Sequence, residues 1–397
     1  MALAITRKTK SLGRATRLFG AALASTLILT GCGGGGGSSG DSPTTNRIFL
    51  AGDSLFDTGT FGFRYTVQNS AGPTKIFIDV ISEARGMVTP CPAYTAASSS
   101  TLVPYTRNAA CTNFAIGGGR VVSSLDTPRS IVKQLQDMKA SFTRFETSDL
   151  FLVDGGGNDF ADLAGSFGAF ATAAGAARAS PTAETVAAYQ AATQAYATFL
   201  APLLQPTAWA QGPAAQAAVV TSITTAMLTA ADPSAQAVSY GLAYSVKLAD
   251  TLTKAIDENL IAAGATRILV FNLPDIALTP RFAPVRSLLG PVITGWSAGF
   301  NFQLESFAAA RSQVALYDLY TKGFRFVRDP QVGASFGFTN VKDAACSTID
   351  ASCSTAALDV AKPEWSGYFF ADGFHGTPLA NRLIGREIAD QLATLGW

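Results

Sequence analysis

Ser54 follows a short apolar run, Arg47-Ile48-Phe49-Leu50-Ala51, within the segment Gly52-Asp53-Ser54-Leu55. A serine placed just after a buried strand is presented at the C-terminal edge of a sheet, where open α/β folds bind ligands. A hydroxyl is a poor nucleophile near neutral pH, so it needs a base, and the base needs an acceptor that orients its other nitrogen. The chain contains one histidine, His375, and any step that requires an imidazole must use it. It sits in Asp372-Gly373-Phe374-His375, three residues after a carboxylate, so that one tight turn can aim both side chains the same way. Ser54, His375 and Asp372 together meet the requirements of an activated serine nucleophile.

Acyl transfer also places negative charge on the former carbonyl oxygen, which preorganised N–H donors stabilise, each by on the order of 10² to 10³ in rate. Two glycine-bearing segments can supply them: Asn113-Phe114-Ala115-Ile116-Gly117-Gly118-Gly119 and Gly156-Gly157-Asn158-Asp159. The backbone N–H groups of Ser54 and of one glycine among Gly117, Gly118 and Gly119, with the amide of Asn158, form a three-donor hole. Spacing alone leaves open which of the three glycines donates. Asp53 and Asp154 are read as acceptors for nearby loop backbone, and Asp57 and Asp159 are assigned to loop stabilisation as well. Gly333-Ala334-Ser335-Phe336-Gly337 matches the G-x-S-x-G elbow of α/β-hydrolases, but no buried strand precedes it, so Ser335 is set aside. Neither triple glycine is followed by Lys-Ser/Thr, which argues against a phosphate loop.

These groups need a scaffold that brings distant segments to one edge. Apolar runs at Arg47–Ala51, Asp149–Val153, Thr266–Asn272 and Gln313–Leu319 read as buried strands, each ended by turn residues or a polar loop. Helical periodicity over Ala237–Ala263, and a helix over Thr377–Leu395 with Thr377 as N-cap and Pro378 at the first helical position, alternate with them. Strands alternating with helices predict a parallel sheet covered on both faces. The Ala-, Thr- and Gln-rich stretch 161–236, broken by Pro181, Pro202, Pro206, Pro213 and Pro233, predicts an insertion of several short helices that leans on the sheet domain, acting either as a lid or as a structural insert.

The blocks GDSL, NFAIGGG, GGND and DGFH, in that order, resemble the four blocks of the SGNH, or GDSL, hydrolase family, and the resemblance extends from Ile48 to Leu395. FDTG at Phe56 to Gly59, NLPDIALTP from Asn272 and GFTN from Gly337 are similar to the longer, lipase-like branch. The resemblance implies a flavodoxin-like three-layer α/β/α fold with a central parallel sheet, Ser54 as nucleophile, Asp372 and His375 completing the triad, and Gly118 and Asn158 in the oxyanion hole. The chain departs from the pattern at Gly376, where many members have proline, and in the length of the 161–236 insertion; both departures bear on substrate choice.

Composition narrows the setting. Of 397 residues, 48% are hydrophobic and 14% charged, with 29 Lys and Arg against 28 Asp and Glu, a balance unlike that of a disordered chain or a nucleic-acid binder. With a single histidine and five cysteines, the inventory excludes a His-rich metal site or a zinc module, and the serine chemistry requires neither metal nor cofactor. Residues 1–31 read as a leader: five basic side chains and no acid up to Arg17, then the mostly apolar run Leu18–Leu29, too short to span a bilayer. Its end, Leu29-Thr30-Gly31-Cys32, resembles the bacterial lipobox, which implies acylation at Cys32 and attachment to a membrane through that lipid. Gly33 after it resembles outer-membrane sorting, and residues 32–45 read as a flexible Gly/Ser-rich tether before the hydrolase domain, 46–397. Loss of the leader leaves 24 basic against 28 acidic side chains. Cys91, Cys111, Cys346 and Cys353 then remain for an oxidising compartment; of three possible connectivities, chain proximity favours Cys91 with Cys111 and Cys346 with Cys353.

The expected activity is hydrolysis of small-molecule or lipid carboxylic esters by an exported lipoprotein of the cell envelope. An acyltransferase, or a phospholipid or polysaccharide deacylase, would use the same triad. A surface-binding lipoprotein without catalysis is the reading from another class, and the intact set Ser54, Asn158, Asp372 and His375 argues against it. Nothing in the sequence speaks to oligomeric state.

Overall fold

In the computed structural model, the described residues are 45–69, 71–100, 103–123, 127–142, 144–350 and 352–397. The leader 1–31, Cys32 and the tether up to residue 44 lie outside them.

Four strands form a parallel sheet in the order β1 (Arg47–Ala51), β2 (Asp149–Val153), β3 (Ile268–Phe271), β4 (Val314–Tyr317). The register is direct, with Phe49 opposite Phe151 and Phe151 opposite Ile268. On the free side of β1, the loop at Thr112–Phe114 adds a parallel bridge between Leu50 and Asn113, with Leu50 N–H donating to Thr112 O at 3.1 Å and Phe114 N–H to Leu50 O at 2.8 Å. Later chain thus lies outside β1, as in the flavodoxin-like order. The third and fourth strands are shorter than the apolar runs that announced them, because ladder pairing stops where the polar loops begin.

Strands β1 to β3 are buried on both faces, as a sheet covered by helices on both sides requires, and the edge strand β4 is partly so. Side chains alternate: Phe49, Phe151, Val153, Ile268 and Val270 enter one core, and Ile48, Leu50, Leu152, Leu269 and Phe271 the other. The first core is closed by helices α2 (Ile131–Ser141), α3 (Gly157–Ala179), α6 (Pro233–Asn259) and α7 (Arg286–Ala309). The second is closed by α1 (Phe77–Ala84) and α8 (Pro378–Thr394). Thr377 caps α8 with its hydroxyl accepting from Ala380 N–H, and Pro378 stands at the first helical position, as the sequence predicts. The result is a three-layer α/β/α fold.

The insertion departs from the expected short helices. It consists mainly of long ones: α3, then α4 (Ala183–Leu204) and α5 (Pro213–Leu228), leading into α6. Four of the prolines, Pro181, Pro206, Pro213 and Pro233, sit at a helix start or between helices, so they set boundaries without shortening the helices. Pro202 falls inside α4. Tyr196, Leu200, Ile223 and Phe167 belong to the same apolar core as the sheet residue Phe151, so the insertion leans on the sheet domain. Helices α6 and α7 touch closely: a Cβ on Gly241 would stand 2.2 Å from the Trp296 ring, and Trp296 Nε1–H donates to Val238 O at 2.9 Å.

The two disulfides are Cys91–Cys111 and Cys346–Cys353, the local pairing. Among the described residues, no helix is long and apolar enough to cross a membrane.

Candidate active site

Strand β1 ends at Ala51, and the chain turns at Gly52 to present Ser54. Gly52 is held from both sides by Gln134 of α2, whose Oε1 accepts Gly52 N–H at 2.7 Å while its Nε2 donates to Gly52 O at 3.0 Å. A side chain is excluded here: a Cβ on Gly52 would fall 1.4 Å from Asp154 Oδ1. Asp53 N–H donates to that same Oδ1 at 3.0 Å, and Leu55 N–H donates to Asp53 Oδ1 at 3.0 Å. The turn that carries the nucleophile is therefore tied to α2 and to the end of β2.

On the loop before α8, Asp372 Oδ1 accepts the backbone N–H groups of Phe374 at 2.8 Å and His375 at 2.7 Å. These bonds fold the segment into the tight turn that its spacing suggests. They bring the His375 Nδ1 to 2.9 Å from Asp372 Oδ2. The other ring nitrogen, Nε2, stands 2.7 Å from Ser54 Oγ. Burial lowers the imidazole's affinity for a proton, but the Asp372 carboxylate and its hydrogen bond outweigh that, and the His375 pKa lies above its ordinary value. Burial raises Asp372, and the facing imidazole with the hydrogen bonds from the turn bring it below the usual carboxylate value. With Nδ1 turned to the carboxylate, Nε2 is left to accept the Ser54 proton.

The three glycines differ in their hydrogen bonding. Gly117 N–H donates to Asp57 Oδ2 at 2.7 Å, and Gly119 N–H donates to Ile116 O at 2.9 Å. Gly118 N–H has no protein acceptor among the described residues, and neither has Ser54 N–H. The φ of Gly118 is +75°, a left-handed conformation that glycine adopts without strain. Asn158 begins the helix α3, and its Nδ2 donates to Gly119 O at 2.9 Å and to Asp53 Oδ2 at 3.3 Å. Together the two acceptors hold the NH₂ end of the amide in place.

Asp57 and Asp159 brace this loop, as the sequence suggests. Asp57 accepts from Gly59, Thr60 and Gly117 N–H, and Asp159 from Val121 N–H at 3.0 Å. Burial pushes the Asp159 carboxyl up to about 7. Ser335 lies at the end of a short helix, exposed, with its hydroxyl donating to Val332 O at 2.7 Å, away from this site.

Two residues that spacing does not single out belong here. Gln134 is a polar side chain on the inner stripe of α2, with Ile131, Leu135 and Met138, and that placement is the signal that could have flagged it. Tyr65 packs against the base, its ring centroid 4.9 Å from that of His375. Beside Ser54 opens a cleft bounded by His375 and Asn158 and walled by Phe271, Leu273, Ile276, Leu319, Phe369 and Phe374. Among the described residues, no group of three or more His, Cys, Asp or Glu is arranged to hold a metal ion.

Residues 48–224 match the family model described as GDSL-like Lipase/Acylhydrolase. Over that stretch the chain is similar to GDSL-like lipases and acylhydrolases. The match takes in Ser54, Gly118 and Asn158, and Asp372 and His375 lie beyond its end. No curated protein matches the chain. The GDSL family includes esterases, lipases and acyltransferases, so the similarity supports an enzyme that acts on esters.

Proposed function

We propose that the protein hydrolyses carboxylic esters through an acyl-serine intermediate. The observation that carries this reading is the unbroken chain of contacts from Ser54 Oγ to His375 Nε2 at 2.7 Å and from His375 Nδ1 to Asp372 at 2.9 Å. His375 takes the proton as Ser54 Oγ bonds to the carbonyl carbon. The N–H groups of Ser54 and Gly118 and the Nδ2–H of Asn158 receive the oxyanion. His375 then gives its proton to the leaving alcohol, and a water molecule, deprotonated in turn by His375, releases the acid and restores the hydroxyl. Apolar walls beside the nucleophile favour an ester whose acyl part is hydrocarbon.

The reading includes export and lipid attachment at Cys32, supported by the leader pattern, with a place in the cell envelope, at the outer membrane, and a small-molecule or lipid ester as substrate. Fluorophosphonate labelling and p-nitrophenyl ester turnover test the chemistry: both are expected in the wild type and lost in Ser54→Ala, and labelling retained in that variant overturns the assignment. Fatty-acid labelling that persists in Cys32→Ser would remove the anchor.

A further inference from the structure

Behind the nucleophile lie two carboxyl groups that the mechanism does not use. Asp53 is 5% exposed and Asp154 is 3% exposed. They are in contact: Asp53 N–H donates to Asp154 Oδ1 at 3.0 Å, and the Asp154 carboxyl is pressed into the space that Gly52 leaves by lacking a Cβ. Two carboxylates side by side in a desolvated site cannot both carry charge at modest cost. Their surroundings differ in a way that says which one keeps the proton. Burial raises the Asp53 carboxyl as well, but it is met by donors on both oxygens, Leu55 N–H on Oδ1 and Asn158 Nδ2–H on Oδ2, and the Leu55 bond and the charge of a protonated His375 oppose that shift. Asp154 receives a donor only on Oδ1; its Oδ2 is buried with no partner among the described residues. An ionised oxygen left bare at that depth is costly, whereas a protonated one is a neutral acid.

We infer that Asp53 and Asp154 share a single proton carried by Asp154, and that the ionised Asp53 is a positioning residue which keeps the Nδ2 edge of Asn158, and not its Oδ1 edge, turned toward the nucleophile. This inference rests on the ester-hydrolase reading of the site. Burial, and after it the neighbouring Asp53, holds the Asp154 carboxyl well above the usual range, in keeping with the geometry. An amide whose oxygen faced the oxyanion would repel it, so the polarity of Asn158 decides whether the third donor exists. Asparagine cannot replace Asp53: it has one acceptor oxygen for two donors, and its NH₂ would confront either Leu55 N–H or the Asn158 amide. Asparagine can stand in for a protonated Asp154, which is neutral and of the same shape.

The test compares Asp53→Asn with Asp154→Asn in ester kinetics, beside Ser54→Ala. Asp53→Asn is expected to lose kcat by about 10²-fold, the scale of one oxyanion donor, with KM changed little. The loss in kcat for Asp154→Asn should be at least about tenfold smaller than that for Asp53→Asn, because only a charge swap at residue 53 disturbs the amide. Equal losses, or a loss confined to KM, overturn the positioning role. In difference infrared spectra between wild type and Asp154→Asn at neutral pH, the C=O band of a protonated carboxylic acid is expected in the wild type alone; its absence overturns the shared proton even if Asp53→Asn does not fold. Full turnover in Ser54→Ala would instead remove the underlying hydrolase reading.

Discussion

The Nε2 atom of His375 stands 2.7 Å from Ser54 Oγ although 321 positions separate the two residues. In the proposed mechanism that contact makes the hydroxyl and the ring one functional unit, and removing either is expected to cost as much as removing both, on the order of 10⁶ in kcat. Ser54→Ala, His375→Ala and the double variant should give the same residual rate with p-nitrophenyl esters and unchanged circular dichroism. A double variant that loses the product of the two single losses would show that they act apart.

Activity should fall on acidification with a midpoint above 6.5, the ordinary histidine value, because the proposed mechanism uses His375 as the neutral base and Asp372 favours its protonated form. The sign is fixed by the direction of the shift: a raised pKa moves the loss of activity to higher pH. In Asp372→Asn the larger raising partner is gone and only Asp53 remains, so the midpoint of any residual activity should move downward, which a kcat/KM profile from pH 5 to pH 9 would read.

At the start of β1, the Arg47 guanidinium binds Asp149 twice, at 2.8 Å and 2.6 Å, and the Asp149 side chain is fully buried. Arg47→Ala leaves that carboxylate unpaired and should cost about 3 kcal/mol in denaturant unfolding. The double change Arg47→Met with Asp149→Leu should recover much of the loss. If the single variant unfolds at the wild-type midpoint, the pair carries no stability.

The two disulfides should differ in worth. Cys91–Cys111 closes a separation of 20 residues and Cys346–Cys353 one of 7. A longer loop constrains the unfolded chain more, so Cys91→Ser with Cys111→Ser should lower stability by about 3 kcal/mol and the other pair by less. Thermal unfolding of both double variants under the same conditions checks the order.

Much of this protein is determined by local sequence. The apolar runs give the four strands because a doubly covered parallel sheet needs residues that are apolar on both faces. The single histidine, three residues after Asp372, names the base by inventory, and Thr377-Pro378 starts the last helix by its own capping chemistry. Other features depend on which partner occupies each donor and acceptor, and residue spacing does not carry that information. Gly118 is singled out only because Asp57 takes the Gly117 N–H and Ile116 takes that of Gly119. Gln134 becomes the clamp on Gly52 only once α2 packs beneath β1. The insertion's helices run long because four of its five prolines sit at helix starts or between helices, where proline is tolerated, and Pro202 falls only in the last turn of α4. The pairing of Asp53 with Asp154, 101 positions apart, exists because two parallel strands end side by side, a fact of the sheet and of neither segment alone.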